Sequence, residues 1–412
     1  MTKQEIKDRI DILSEKLNAA NIAYYINNDP IFSDYEYDML MKELEKLEDN
    51  NPEFVWKNSP TKMVGSDLSI QSSFAEVHRS FPMGSIANCY NEDDLAKWIS
   101  KYPNCQYIVE WKKDGTSCSL RYRNGVLVEA STRGNGYVGD NITTNIMTIN
   151  NIPKKIDCPY LPIDFEVRGE ILITKETFER INAERIANGE QPYANCRNLT
   201  AGSIKQLNAK VTASRDLIFI PYSAHPWPDF NEGDIVNEWC NSKFSTQSQT
   251  FETLKSLGFQ IDDYYIANSF DDILNIINNI KDNNIKANKP WDNDGLVIKL
   301  NSMIEQNLAG YTDKNPKFAI AYKWTVEMAS TKLIDVKWRV GRTGKLTPVG
   351  ILEPVEVEGT TISNVNLNNM DFIREKQVAI GGYYFIYRGG SVIPVLHGPD
   401  MDKNNENNIK II

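Results

Sequence analysis

Apolar residues recur with helical spacing over the first 50 positions. Ile6, Ile10, Leu13 and Leu17 form one stripe, and Tyr37, Leu40, Leu44 and Leu47 form a second. Steps of three and four residues put each set on one face of a helix. Asp34 precedes the second stripe as an N-cap residue, and Asp38 lies in its first turns, near the positive end of the helix dipole. From about 70 to 325 the pattern turns mixed. Short β-rich runs at 107–111, 118–123, 163–173, 217–223, 294–300 and 318–324 alternate with helical stretches such as 172–188 and 250–258. This predicts an α+β domain built on antiparallel sheets. From 330 to 395 strands dominate, separated by Gly-bearing turns, and the pattern suits a small barrel of the OB kind. No internal repeat is present.

A chain of 412 residues is too long for one ordinary core and divides into domains. The pattern predicts a helical module at 1–68, the antiparallel-sheet domain at 69–327, the barrel at 328–400 and a polar tail at 401–412 that frays. No run of about 18 apolar residues exists, so no membrane span or membrane partner is expected. The N-terminus reads as a polar helix rather than a secretion signal. Six cysteines are scattered without a CxxC pair, which argues against a disulfide framework and a cysteine zinc site and fits a reducing cytoplasm. The net charge of −10 runs mildly against nucleic acid as a partner, yet a basic groove can exist on an acidic protein.

Candidate chemistry sits in Glu110-Trp111-Lys112-Lys113-Asp114-Gly115. A lysine two residues before Asp-Gly stands at a strand end entering a turn, where its amine can reach a ligand. A nucleophilic lysine must spend time neutral, so it needs burial or nearby cations, and Lys113 and Arg133 are placed to supply them. The bland alternative is a surface hairpin turn. Further runs follow: Ser131-Thr132-Arg133-Gly134-Asn135-Gly136, Glu166-Val167-Arg168-Gly169-Glu170, the segment from Asp294 to Lys299, and Ala321-Tyr322-Lys323-Trp324. In order and spacing these resemble the successive nucleotidyltransferase motifs of covalent ligases and capping enzymes. An adenylyl group in transfer needs cations at its α-phosphate, an acceptor for its ribose hydroxyl and acids for a metal, and each run offers one such group.

The flanks name the branch. The run 24–38, YYINNDPIFSDYEYD, resembles the N-terminal signature of NAD-dependent DNA ligases. Ser59-Pro60-Thr61, the stretches 78–83, 195–203 and 256–259, and Val340 to Val349 with Val392-Ile393-Pro394 are similar to the same family. The resemblance covers roughly residues 4–397. It implies a helical module binding nicotinamide mononucleotide, a nucleotidyltransferase (ATP-grasp-like ligase) antiparallel-sheet domain and a C-terminal OB-fold β-barrel. It also implies NAD as AMP donor, Mg²⁺ or Mn²⁺ as metal, and nicked double-stranded DNA as substrate of a monomeric enzyme active in replication and repair.

Carried over residue by residue, the resemblance makes Lys112 the nucleophile, with Asp114 beside it. Glu110 reads the adenine amino group and Tyr222 stacks on the ring, although a core role for Tyr222 stays open. Arg133 and Glu170 hold the ribose, Ser85 and Ile86 contact adenosine, and Lys299 and Lys323 face the α-phosphate. Asp294 helps place the metal, for which no protein-only ligand set is assigned. Tyr24, Tyr25, Asp34, Tyr37 and Asp38 take the nicotinamide nucleotide, while Arg197, Lys205 and Arg342 meet DNA.

The sequence also departs from the family. It stops before the zinc, helix-hairpin-helix and BRCT modules of typical members, and Gly84 to Asn88 replaces a Leu-x-Leu-Asp-Asn run. Lys205 stands for the usual arginine, losing a bidentate fork. A trimmed chain, a natural short ligase, and one partnered by a second ligase subunit carrying the missing domains all remain open. So do two other classes: a nick-sensing subunit that no longer seals, and an ATP- or GTP-using transferase, the latter opposed by the N-terminal signature.

Overall fold

The two apolar stripes become α1 (Lys3–Tyr25) and α2 (Asp34–Asn50), which pack on Ile10, Leu13, Leu17, Met41 and Leu44. Asp34 is thus the first residue of α2 rather than a position before it. A computed structural model describes residues 2–25, 31–32, 34–56, 59–62, 74–79, 81–227, 234–312, 314–324, 328–340, 346–357, 360–389 and 393–406. The chain divides into two compact units, Met1–Trp324 and Thr325–Ile412, so the helical module and the sheet domain share one unit.

The strands of the first unit are β1 (Glu76–His78), β2 (Ala87–Cys89), β3 (Tyr107–Lys113), β4 (Thr116–Arg123), β5 (Val126–Thr132), β6 (Val138–Asp140), β7 (Asp164–Leu172), β8 (Ile218–Trp227), β9 (Tyr264–Ala267), β10 (Asn293–Leu300) and β11 (Ala319–Lys323). They form a five-stranded sheet in the order β2-β11-β10-β3-β9, a four-stranded sheet in the order β5-β4-β7-β8, and a β1–β6 pair. Pairing is antiparallel except that β2 runs parallel to β11, a departure from the all-antiparallel expectation. A parallel neighbour needs a long crossover, and the rest of the domain lies between these two strands in sequence.

Period-two alternation explains both sheets. In the first, Tyr107, Val109 and Trp111 of β3 enter one core with Leu296, Ile298 and Leu300 of β10 and Ile320 and Tyr322 of β11. In the second, Cys118, Leu120 and Tyr122 of β4 join Phe165 and Val167 of β7. Burying a large apolar side chain of this kind contributes roughly 1.5–3 kcal/mol. The opposite faces carry the polar residues, and these faces line one cavity.

The second unit is an antiparallel sheet of β12 (Ala329–Val340), β13 (Leu346–Val357), β14 (Thr360–Asn366), β15 (Tyr383–Gly389) and β16 (Ile393–Pro399), in the order β14-β13-β12-β15-β16. Its core holds Leu333, Leu352, Val357, Ile362, Tyr384 and Leu396. The edge strands β14 and β16 approach each other, but among the described residues no pairing closes the barrel. The tail expected to fray begins as a helix, Met401–Glu406. Asp400 accepts from the backbone of Lys403, and buried Asn404 exchanges hydrogen bonds of 2.8 Å with the backbone of Tyr383. Residues 407–412 lie outside the described residues, among which no helix is long and apolar enough to cross a membrane.

Candidate active site

Register sets the charges of the site. Lys112 of β3, Gly295 of β10 and Lys323 of β11 are Cα partners in one row. The next rows are Glu110–Val297–Ala321 and Ile108–Lys299–Ala319. Residues opposite one another share a face, so Glu110, Lys112, Lys299 and Lys323 all point away from the core. Gly295 separates the two terminal lysines, and a Cβ there would run into the carbonyl oxygen of Tyr322. Asp294 sits where the β3–β10 register slips, between Asn293 and Gly295. Such a bulge re-aims a side chain, and here it turns Asp294 onto the lysine face.

Lys112 Nζ donates to Asp294 Oδ2 at 2.6 Å, and Lys323 Nζ lies 3.8 Å from the same oxygen. Burial raises the Asp294 pKa, but Lys112, Lys323 and Arg197 together outweigh it and hold the carboxyl below its usual range. Lys323 also donates to Asp38 of α2 at 2.6 Å, and the Tyr90 hydroxyl donates to that same Asp38 oxygen. Lys299 donates to Glu110 at 2.9 Å and to the carbonyl of Tyr222 at 3.1 Å, where Gln247 Nε2 also donates at 2.8 Å. Lys113, expected to supply part of the positive neighbourhood, lines the cavity but pairs elsewhere. It is buried 3.6 Å from Asp262, and its pKa is lowered, chiefly by burial. Lys323 and Arg197 add positive charge beside Asp294.

The second sheet supplies the facing wall. Ser117 pairs in register with Glu170 and donates to it at 2.8 Å. Burial raises the Glu170 pKa, with Arg197, Ser117, Lys112 and Arg133 opposing. Four residues earlier on β7, Glu166 accepts from Ser119 and from Arg168 Nε at 2.7 Å, while the Arg168 guanidinium also donates to the carbonyls of Phe81 (2.8 Å) and Pro82 (2.9 Å). His225, Phe81, Tyr311 and Phe318 form an aromatic end. Burial and Arg168 push the His225 pKa down to about 4, so the ring is neutral at neutral pH.

The Glu170 shift has a testable sign. An acid whose folded pKa is raised contributes stability below its ordinary value of 4.5 and loses it as pH rises through the folded value. Glu170→Gln should therefore raise the melting midpoint at pH 7, and the gain should vanish below pH 4.5, where both states are protonated. The same variant should lose nucleotide reactivity, because carboxylates kept at a cost to stability mark functional sites. Thermal melts at the two pH values check the first part; an unchanged or lower midpoint at pH 7 contradicts it.

Both walls and α2 enclose one cavity of about 780 Å³. Of the residues expected at the site, Glu110, Lys112, Arg133, Glu170, Tyr222, Asp294, Lys299 and Lys323 line it. Ser85, Ile86 and Arg197 line it too, as do Tyr37 and Asp38 from the helical module. Asp114 instead sits in the turn after β3, accepting from Arg197 at 3.0 Å, and Lys205 pairs with Asp140 at 2.9 Å. The side chains of Tyr24, Tyr25 and Asp34, and all of Arg342, lie outside the described residues. Sequence reasoning missed Ser117, Gln247 and the aromatic end, all brought in by long-range pairing that leaves no local motif. Among the described residues no three His, Cys, Asp or Glu side chains cluster as metal ligands. Asp294 lines the cavity, and its Oδ1 is buried without a hydrogen-bond partner.

Comparison with known proteins adds three matches. The NAD-dependent DNA ligase adenylation domain matches residues 71–327, the NAD-dependent DNA ligase OB-fold domain residues 330–408, and the DNA ligase-like N-terminal NAD+-binding domain residues 3–65. A DNA ligase of Carboxydothermus hydrogenoformans is 40% identical over 401 residues, which are 96% of this chain and 58% of that protein. A DNA ligase of Caldicellulosiruptor bescii is 38% identical over 397 residues, 94% of this chain and 56% of that protein. A DNA ligase of Rickettsia prowazekii is 39% identical over 418 residues, 100% of this chain and 58% of that protein. The chain thus spans somewhat more than half the length of these relatives.

Proposed function

The chain belongs to the NAD-dependent DNA ligase family, and we propose that it takes AMP from NAD onto Lys112 and passes it to a nick in DNA. One observation carries this reading. The cavity that holds Lys112 is also walled by α2, whose Asp38 meets Lys323. A reaction that keeps the adenylate and expels nicotinamide mononucleotide needs both halves of the dinucleotide in one place, the kept half on the sheets and the leaving half against the module.

In this reading the neutral Lys112 amine attacks the α-phosphorus in line, a P–N bond forms, the pyrophosphate bond breaks and nicotinamide mononucleotide leaves. Lys299 and Lys323 stabilise charge growing on phosphate oxygens, acting as compact point charges. Glu170 and Arg133 hold the ribose, Ser85 and Ile86 touch adenosine, and Glu110 and Tyr222 take the base. Asp114, paired with Arg197, fixes the turn that follows the strand carrying Lys112. Mg²⁺, or Mn²⁺ in its place, would suit the unpartnered Asp294 carboxylate, since Mg²⁺ favours one or two carboxylates with water and phosphate oxygens. Such an ion would neutralise phosphate charge. AMP then passes to the 5′-phosphate of the nick, and the 3′-hydroxyl displaces it to close the strand.

Arg197, Lys205 and Arg342 are the proposed DNA contacts, exchanging carboxylate partners for phosphates in the cases of Arg197 and Lys205. Sealing requires no base readout, so these contacts confer salt sensitivity rather than sequence preference. Intact-mass measurement tests the reading. NAD should add the mass of AMP less one water and release nicotinamide mononucleotide, while ATP should add nothing. A chain that stays unmodified with NAD and Mg²⁺ overturns it.

A further inference from the structure

Arg79, just past β1, stands behind the turn that carries Arg133. Its Nη1 donates to the carbonyl oxygens of Arg133 at 2.9 Å and Gly136 at 3.2 Å. Its Nη2 donates to Ser131 Oγ at 2.7 Å and to the carbonyl of Thr132. The backbone adds two ties: Arg79 N donates to Tyr137 O at 2.8 Å, and Met83 N to Gly136 O at 3.0 Å.

The turn needs these partners because of its own geometry. Gly134 and Gly136 have φ of +58° and +97°, a conformation that glycine adopts without the clash other residues suffer. Asn135 Oδ1 closes the turn by accepting from Tyr137 N at 3.0 Å and Val138 N at 2.8 Å. The path this traces brings the carbonyls of Thr132, Arg133 and Gly136 towards one point. Converging acceptors in a half-buried place need several donors at fixed angles, and a guanidinium supplies five in one plane. Desolvation by burial, with Arg168 adding to it, lowers the Arg79 pKa, so holding a cation here costs free energy that the turn's hydrogen bonds offset. On its other side the turn sends the Arg133 side chain into the cavity, near Glu170 and Tyr222.

We propose that Arg79 is a positioning residue for Arg133: by holding the carbonyls of the 131–136 turn, it fixes the line along which Arg133 enters the nucleotide cavity. The inference rests on the placing of Arg133 at the nucleotide in the preceding reading. Arg79 itself touches no reacting atom. A buttress for the fold alone would lower stability and leave Arg133 independent of it; a positioning residue loses its effect once Arg133 is gone.

A double-variant cycle separates the two. Lysyl-AMP formation is followed against NAD concentration in the full chain, in Arg79→Ala, in Arg133→Ala and in the double variant, each with a thermal melt. Arg79→Ala should raise the half-saturating NAD concentration about tenfold, the scale of a lost hydrogen bond to a charged group, and change the limiting rate far less. In the Arg133→Ala background the same change should alter NAD dependence less than about twofold, the non-additivity of coupled residues. Arg79→Lys, which keeps the charge without the fork, should fall between wild type and Arg79→Ala, and it carries the cycle if the alanine variant does not fold. Equal losses in both backgrounds overturn the proposal. Normal NAD dependence in Arg133→Ala alone overturns it together with the placement of Arg133, and that single variant tells the two failures apart.

Discussion

Lys112→Arg is expected to leave a folded protein that takes up no AMP. The guanidinium stays protonated at any working pH and offers no lone pair to phosphorus. The fold should survive, because Lys112 lies on the polar face of β3 and the longer cation can still pair with Asp294. Loss of the nucleophile should lower the rate of lysyl-AMP formation by at least roughly 10⁴-fold, on the scale of nucleophile removal in covalent enzymes. Intact mass after incubation with NAD reads the result. Retained adduct in the arginine variant would mean that another amine attacks. Lys113 is poorly placed to be that amine, since it is buried against Asp262.

Removing residues 1–65 should stop the reaction with NAD while sparing closure of a nick that already carries AMP. The module would meet only the leaving nucleotide, which is absent from the last step. Its helices have an apolar cluster of their own, so their removal need not expose the cores under the sheets. Contacts at the site would be lost: Lys323 would lose Asp38, the Tyr90 hydroxyl its acceptor, and Lys314 the carbonyl of Pro60. Orientation of the leaving group would go with them, and misplacement of about 1 Å is enough to cost some 10²-fold. Side-by-side assays with NAD and with pre-adenylated nicked DNA give the comparison. Equal NAD reactivity with and without the module would remove the module from the chemistry.

Much of this architecture is legible in the chain because alternation is a local signal. The runs 107–111, 294–300 and 318–324 read as strands from their residues alone, and they become β3, β10 and β11. What alternation cannot give is register. Nothing local says that Lys112, Gly295 and Lys323 share a row, or that a bulge turns Asp294 towards them. The motif order supplied that grouping only through resemblance. Lys113 shows the same limit from the other side: one step along the strand pairs it with Asp262, a partner that no local signal announces. Ser117 lay beyond sequence reasoning, and Arg79 sat in the matching stretch 78–83 without a role, for a related reason: each acts through a partner some 50 residues away.

The packing of β10 also limits how this chain can vary in length. Between Gly295 and Leu300 every residue is committed to one side or the other, with Leu296, Ile298 and Leu300 in the core and Val297 and Lys299 towards the cavity. An insertion or deletion of one residue there would exchange the two sets, burying Lys299 and exposing the three aliphatic side chains. Substitutions in this strand are judged one residue at a time, whereas a single indel would cost both the core and the phosphate site. Asp294 marks the one place along the strand where an extra residue is already accommodated.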